Sequence, residues 1–191
     1  MAQIVQIAAL DLPKTNEALR QVSEQLVRLE ARLNDLATPT LPSCLVYNSV
    51  VKSIAHNTET DMTWNSHQHD TGGFHSLQAN TDQIVIPSEG TYLVGAFLIW
   101  DTHSDSGQRL LTITLNDPAP AAAAAKIADH NIIGISLTSF VWNSAQTLRR
   151  FAANDILRVS VLQTSTVSLN VLDTTTYGPR ANGFYCIRLS D

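Results

Sequence analysis

Leu19, Val22, Leu26, Leu29, Leu33 and Leu36 recur at alternating spacings of three and four residues. That spacing lays an apolar stripe along one side of an α-helix, and its 3.5-residue period is the seam of a coiled coil. The helix reads over residues 14–38. Thr15-Asn16 supplies a start signal and Glu17 an acidic first turn, while Thr38-Pro39-Thr40-Leu41-Pro42 ends it, since proline cannot continue a helix. Leucine at nearly every seam position leaves the strand number open, and Val22 leans away from a dimer. Burying six such side chains does not exceed the backbone entropy of ordering the helix. The seam therefore sets register, and the remainder of the chain must associate as well. Before the helix, residues 1–13 form an apolar arm with Ile4, Val5, Ile7, Leu10 and Leu12, broken by Asp11. It is too short for a membrane span and lacks the basic start of a secretion signal. It reads as an anchor.

After a Pro-containing linker, residues 39–43, the period changes to two. Strands are expected at Leu45–Ile54, Gln83–Ile86, Thr91–Trp100, Arg109–Asn116, Asn131–Trp142, Gln146–Arg150, Ile156–Gln163, Thr166–Leu172 and Gly183–Leu189. Turn-forming clusters separate many of them: Asp70-Thr-Gly-Gly73, Pro87-Ser-Glu-Gly90, Ser104-Asp-Ser-Gly107, Asn154-Asp155 and Tyr177-Gly-Pro179. Many short strands without convincing helices predict an all-β, two-sheet antiparallel sandwich over residues 44–191, of jelly-roll type. Tyr92, Val94 and Ala96 should share one face, and Phe97, Trp100, Phe140 and Trp142 are large enough to dominate the core. Pro118–Lys126, rich in alanine, reads as a protruding loop.

Composition adds restraint. Charged residues make up 15% of the chain, below the usual quarter, and the net charge is −5. The longest basic run is Arg149-Arg150, which excludes the footprint of a nucleic-acid binder. Cys44 and Cys186 lie near the two ends of the β-rich region, where terminal strands of a sandwich often pair. Spacing does not show a disulfide, and two free thiols is the reading adopted.

No nucleophile elbow, phosphate loop, zinc-protease helix, paired C-x-x-C or dinucleotide fingerprint occurs, so no enzyme activity and no cofactor is expected. His67, His69 and Asp70, with His75 nearby, form the one suggestive cluster. Such a cluster suits a metal cage in a symmetric oligomer, but Asp70 also belongs to a turn and polar loops are often His-rich, so no metal is assigned.

Thr63-Trp64-Asn65-Ser66, Asp70-Thr71-Gly72-Gly73-Phe74-His75 and Ile84-Val85-Ile86-Pro87-Ser88-Glu89-Gly90-Thr91-Tyr92-Leu93 together resemble the C1q/tumour-necrosis-factor-like jelly-roll family. That family is similar in its D-x-x-G-aromatic turn and its hydrophobic-Pro-x-x-Gly-x-Tyr passage into a long core strand. Arg109–Asn116 resembles its strand ending in Asn. Phe151-Ala-Ala-Asn-Asp155-Ile-Leu-Arg-Val resembles its Ala-Gly-Asp turn, and Gly183–Leu189 its aromatic closing strand. The resemblance spans residues 42 to 191. Asn154 replaces the customary Gly, and the closing strand departs from the usual Phe-Ser-Gly. The resemblance implies a compact homotrimer, with a coiled stalk on the N-terminal side where the heptads sit.

Similar short trimers among accessory virion proteins of bacteriophages imply a capsid decoration or cement protein, assembled in the host cytoplasm. Ile4, Val5, Ile7, Leu10 and Leu12 would then grip the major capsid protein, or another virion protein. Leu19 through Leu36 would form the stalk, and the head would face outward. The alternative is a tail-fibre or receptor-binding protein whose head holds a host surface ligand. Neither involves nucleic acid or membrane insertion.

Overall fold

The computed structural model describes residues 12–36, 41–103, 107–117, 126–134, 139–179 and 181–191. The chain divides into two units, Met1–Thr40 and Leu41–Asp191. In the first, α1 spans Leu12–Leu36. It begins before Thr15-Asn16, with Pro13 in its first turn, where proline's missing N–H costs nothing. Leu12 is therefore the first residue of the helix. Arg20 pairs with Glu17 and Glu24 one turn to either side.

The second unit is a two-sheet antiparallel sandwich. Its strands are β1 (Ser43–Tyr47), β2 (Lys52–Ile54), β3 (Thr60–Asp61), β4 (Ser66–Asp70), β5 (Gln83–Val85), β6 (Gly90–Trp100), β7 (Gly107–Leu115), β8 (Lys126–Gly134), β9 (Val141–Phe151), β10 (Ile156–Gln163), β11 (Leu169–Val171) and β12 (Asn182–Ser190), with one helical turn, α2 (Thr174–Tyr177), before the last. The larger sheet runs β4-β1-β12-β6-β9, lengthened by β11 and β2. The smaller runs β8-β7-β10, with β3 and β5 also pairing to β10. Period-two alternation aims Tyr92, Val94, Ala96 and Leu98 of β6 between the sheets, where they meet Trp64, Phe74, Trp100, Phe151 and Phe184.

Several expected strands are redrawn. Leu45–Ile54 is two strands, because Asn48 leaves the ladder. Its N–H donates to Asn182 Oδ1 at 2.6 Å, and its carbonyl accepts from Asn182 Nδ2 and from the Thr174 N–H. Asn131–Trp142 is the end of β8 and the start of β9, which belong to different sheets, so the chain crosses the sandwich between them. Gln146–Arg150 is the far half of β9. The short β3 and the polar β4 carry no apolar alternation and were not expected. Phe140 and Trp142 are not core residues. Val141, Asn143 and Ala145 take the inward positions of β9, which turns Trp142 outward at 52% exposure. Phe97 also faces outward, half-buried. Most of the alanine-rich segment, 118–125, lies outside the described residues, and Lys126 already belongs to β8.

The turns behave as their residues dictate. Asp70 accepts from the N–H groups of Gly72, Phe74 and His75, and Gly73 takes a positive φ of 70°. Asn154 adopts φ 69°, the left-handed turn that Asn tolerates. Asn116 at the end of β7 donates to Asp155 Oδ1 and accepts from the Ile156 N–H, both at 2.8 Å. One Asn thereby ties the exit of β7 to the start of β10.

Candidate functional site

The outward face of the larger sheet is built from rows of side chains that cross three or four strands. In one row, Leu148 of β9 stands opposite Leu93 of β6, which stands opposite Ile187 of β12. In the next, Gln146, Gly95, Tyr185 and Leu45 are aligned, and in the third Ser144, Phe97 and Gly183. The glycines give room for the rings. A Cβ on Gly95 would collide with the hydroxyl end of Tyr185, and one on Gly183 would sit 2.5 Å from Phe97 Cζ. The two rings therefore lie across the sheet instead of standing on it.

Tyr185 donates across Gly95 to Gln146 Oε1 at 3.1 Å, and partial burial raises its phenol above the ordinary value, so it stays a donor at neutral pH. No residue in these three rows is charged. Leu148 is 61% exposed and Trp142 lies farther along the same strand face. A surface that sets Leu93, Phe97, Leu148 and Ile187 among the neutral polar groups of Ser144, Gln146 and Tyr185 suits protein contact.

In α1, Leu19, Val22, Leu26 and Leu29 are each more than half exposed, so the described part of the heptad seam is uncovered. Leu33 and Leu36 lie in the helix, but their side chains, like that of Leu12, are outside the described residues. Ile4, Val5, Ile7 and Leu10 lie wholly outside them.

The histidines separate. His67 on β4 and His75 beyond the Asp70 turn meet edge to face, with His67 Nε2 2.8 Å from His75 Nδ1. His69 is exposed and apart from this contact. Burial lowers the His75 pKa from its ordinary value. Among the described residues, no group of three or more His, Cys, Asp or Glu is arranged around a common point.

Cys44 and Cys186 are buried free thiols directly opposite each other on β1 and β12. The bond from the Arg188 N–H to the Pro42 carbonyl fixes the phase of this ladder. Two residues farther along, Cys44 and Cys186 occupy the wider, hydrogen-bonded type of pair, with Cα atoms about 5.5 Å apart. Burial, followed by the nearby Cys186 and Asp70, raises the Cys44 thiol far above its usual value, and burial pushes Cys186 up to about 12.

At the end of the sandwich away from Pro42, Phe140 and Tyr177 pack in a T shape at 5.6 Å, both exposed. Beside α2, Tyr47, Gln68, Thr174 and Pro179 line a cleft of about 280 Å³. Sequence reasoning missed both this cluster and the open sheet face. The face was legible in β9 alone, where Trp142, Ser144, Gln146 and Leu148 alternate with Val141, Asn143 and Ala145.

Among solved structures, a crystal structure of murine APRIL at pH 5.0 is similar over 78% of this chain and 99% of its own, at 11% identity and a TM-score of 0.55. The globular domain of zebrafish complement 1qA protein is similar over 78% of this chain and 99% of its own, at 10% identity and a TM-score of 0.52. The second unit is a C1q/TNF-like jelly roll. At these identities the likeness is one of fold. No protein-family model and no curated protein matches the sequence. The jelly roll accounts for the motif residues: Asp70 and Gly73 form the turn, Tyr92 enters the core with its hydroxyl donating to the Ser88 carbonyl at 2.7 Å, and Phe184 closes the sandwich.

Proposed function

We propose that this protein is a non-enzymatic virion structural protein of a bacteriophage, a homotrimeric capsid decoration or cement protein. The observation that carries the reading is a pair of uncovered apolar surfaces on one chain. The seam of α1 asks for parallel copies of itself. The open face of the jelly roll, with Leu45, Leu93, Phe97, Leu148, Tyr185 and Ile187, asks for a flat, uncharged partner, and a second copy offers one. A chain whose stalk and head both self-associate forms a closed symmetric assembly. In this reading the arm with Ile4, Val5, Ile7, Leu10 and Leu12 contacts the major capsid protein, and the trimer reinforces the shell through interface area alone.

The test is binding of purified trimers to emptied shells. Removal of residues 1–13 should leave trimers in solution that no longer sediment with shells. Shell binding that survives the deletion sinks the anchoring role, and a monomer at micromolar concentration sinks the assembly.

A second reading, a tail-fibre or receptor-binding head, is favoured by Phe140 and Tyr177. Exposed aromatic side chains beside a polar-rimmed cleft, at the end away from where the chain enters the head, are suited to a host surface ligand. Isolated heads that block infection in the unaltered form, and fail to block it as Tyr177→Ala, would move the assignment to this class.

A further inference from the structure

The contact between His67 and His75 is built more tightly than a surface hydrogen bond requires. The second ring nitrogen of His75, Nε2, lies 3.3 Å from the Thr81 carbonyl, which only accepts. Nε2 therefore carries the proton, and Nδ1 presents a bare lone pair to His67 Nε2 at 2.8 Å. A histidine that donates one ring N–H to a backbone carbonyl while its other nitrogen points at a neighbouring ligand has the arrangement of a metal-ligating imidazole with its orienting partner. The backbone is fixed as well: the His75 N–H donates to Asp70 Oδ2, and His67 is paired in β4 to Val46 of β1.

We propose that His67 Nε2 and His75 Nδ1 form a two-imidazole chelate for a borderline-soft divalent ion of the zinc class. Two nitrogens on a tetrahedral zinc, each about 2.0–2.1 Å from the metal, stand about 3.3 Å apart. The nitrogens must separate by about 0.5 Å from their 2.8 Å hydrogen bond and the rings must turn so that both lone pairs meet off the line between them, a movement open to the part-exposed His67 on an edge strand. The ion takes the place of the shared proton, and His67 moves its own proton to Nδ1, so both ligands remain neutral.

The other positions belong to water or to an incoming donor. Asp70 is committed to the turn, its Oδ1 accepting from the Gly72 and Phe74 N–H groups and its Oδ2 from that of His75. His69 is two residues along the same strand and apart from the contact. The sequence cluster of three histidines thus resolves into two ligands and a bystander.

The experiment is calorimetric titration of the full chain with Zn²⁺ in a non-chelating buffer at pH 7.5 and pH 5.5, with His67→Gln and His69→Gln alongside, the fold of each checked by circular dichroism. The expected result is one ion per chain at pH 7.5, weakened at least tenfold at pH 5.5, weakened at least tenfold by His67→Gln and unchanged by His69→Gln. No binding up to millimolar Zn²⁺ overturns the proposal. So does equal loss from His67→Gln and His69→Gln, which would mean diffuse capture by surface histidines.

Discussion

Leu148→Asp separates association of the heads from their folding. Leu148 is 61% exposed in the single chain and stands at the end of the Leu148–Leu93–Ile187 row. Full burial of a leucine is worth about 1.5–3 kcal/mol, so covering the part still exposed contributes about 1–2 kcal/mol per chain. Three copies make about 3–5 kcal/mol per trimer, or roughly 10²–10⁴ in the association constant at 1.4 kcal/mol per tenfold. A buried carboxylate adds a further penalty of the same sign. Sedimentation velocity over a micromolar concentration series should show the unaltered chain as a trimer and the variant dissociating at concentrations where the unaltered chain does not. Thermal unfolding of the diluted head should stay within about 0.5 kcal/mol, since an outward side chain is lost from no core contact. Identical sedimentation of the two proteins would refute the assignment of this face as the interface.

Asn143→Ala should destabilise the head without touching its surface. This buried amide accepts from Trp100 Nε1 and donates to the carbonyls of Arg109 and His130, which joins the two sheets. A stranded buried polar group costs about 1–3 kcal/mol, and a total near 3 kcal/mol lowers the Tm by about 6–12 °C in a domain of this size. A shift under about 2 °C in calorimetry would contradict that role. Acidification should also cost stability. His75 has a lowered pKa when folded, so the unfolded chain binds more protons between its ordinary value, near 6.5, and the folded one. Stability is then complete above that window and falls as the pH drops through it; His75→Asn, if it folds, should flatten the dependence measured by denaturant titration. Cys44 and Cys186 should resist a thiol reagent in the native head and react together on unfolding. Rapid labelling of either under native conditions would show that the β1–β12 pair opens.

Much of the jelly roll is written in local pattern. Tyr92, Val94 and Ala96 alternate strictly, and Pro87 through Gly90 stops the chain before them, so β6 is legible from its own residues. The Asp70 turn and the Asn116–Asp155 tie are legible for the same reason, since Asn, Asp and Gly at fixed offsets satisfy nearby backbone groups. Sheet membership is not local. An apolar run such as Asn131–Trp142 does not record that its two ends pair with different partners, and that error put Phe140 and Trp142 in the core. The polar β4 carries no apolar stripe because its position as an edge comes from pairing with β1 alone. The open face was hidden for another reason: its flatness depends on Gly95 and Gly183 lying beneath rings from neighbouring strands, a cross-strand relation that reading along the chain does not expose.

The edge strand β4 bears on the size of the proposed assembly. Its five residues, Ser66, His67, Gln68, His69 and Asp70, are all polar, and its pairing to β1 shifts register between Leu45 and Val46. A short, irregular and polar edge is a poor template for a further strand. An edge, once extended, presents a new edge and invites a fibre, whereas a face is consumed when it is covered. At β4 the first route is closed, and in the proposed assembly the open face is the surface that a partner covers.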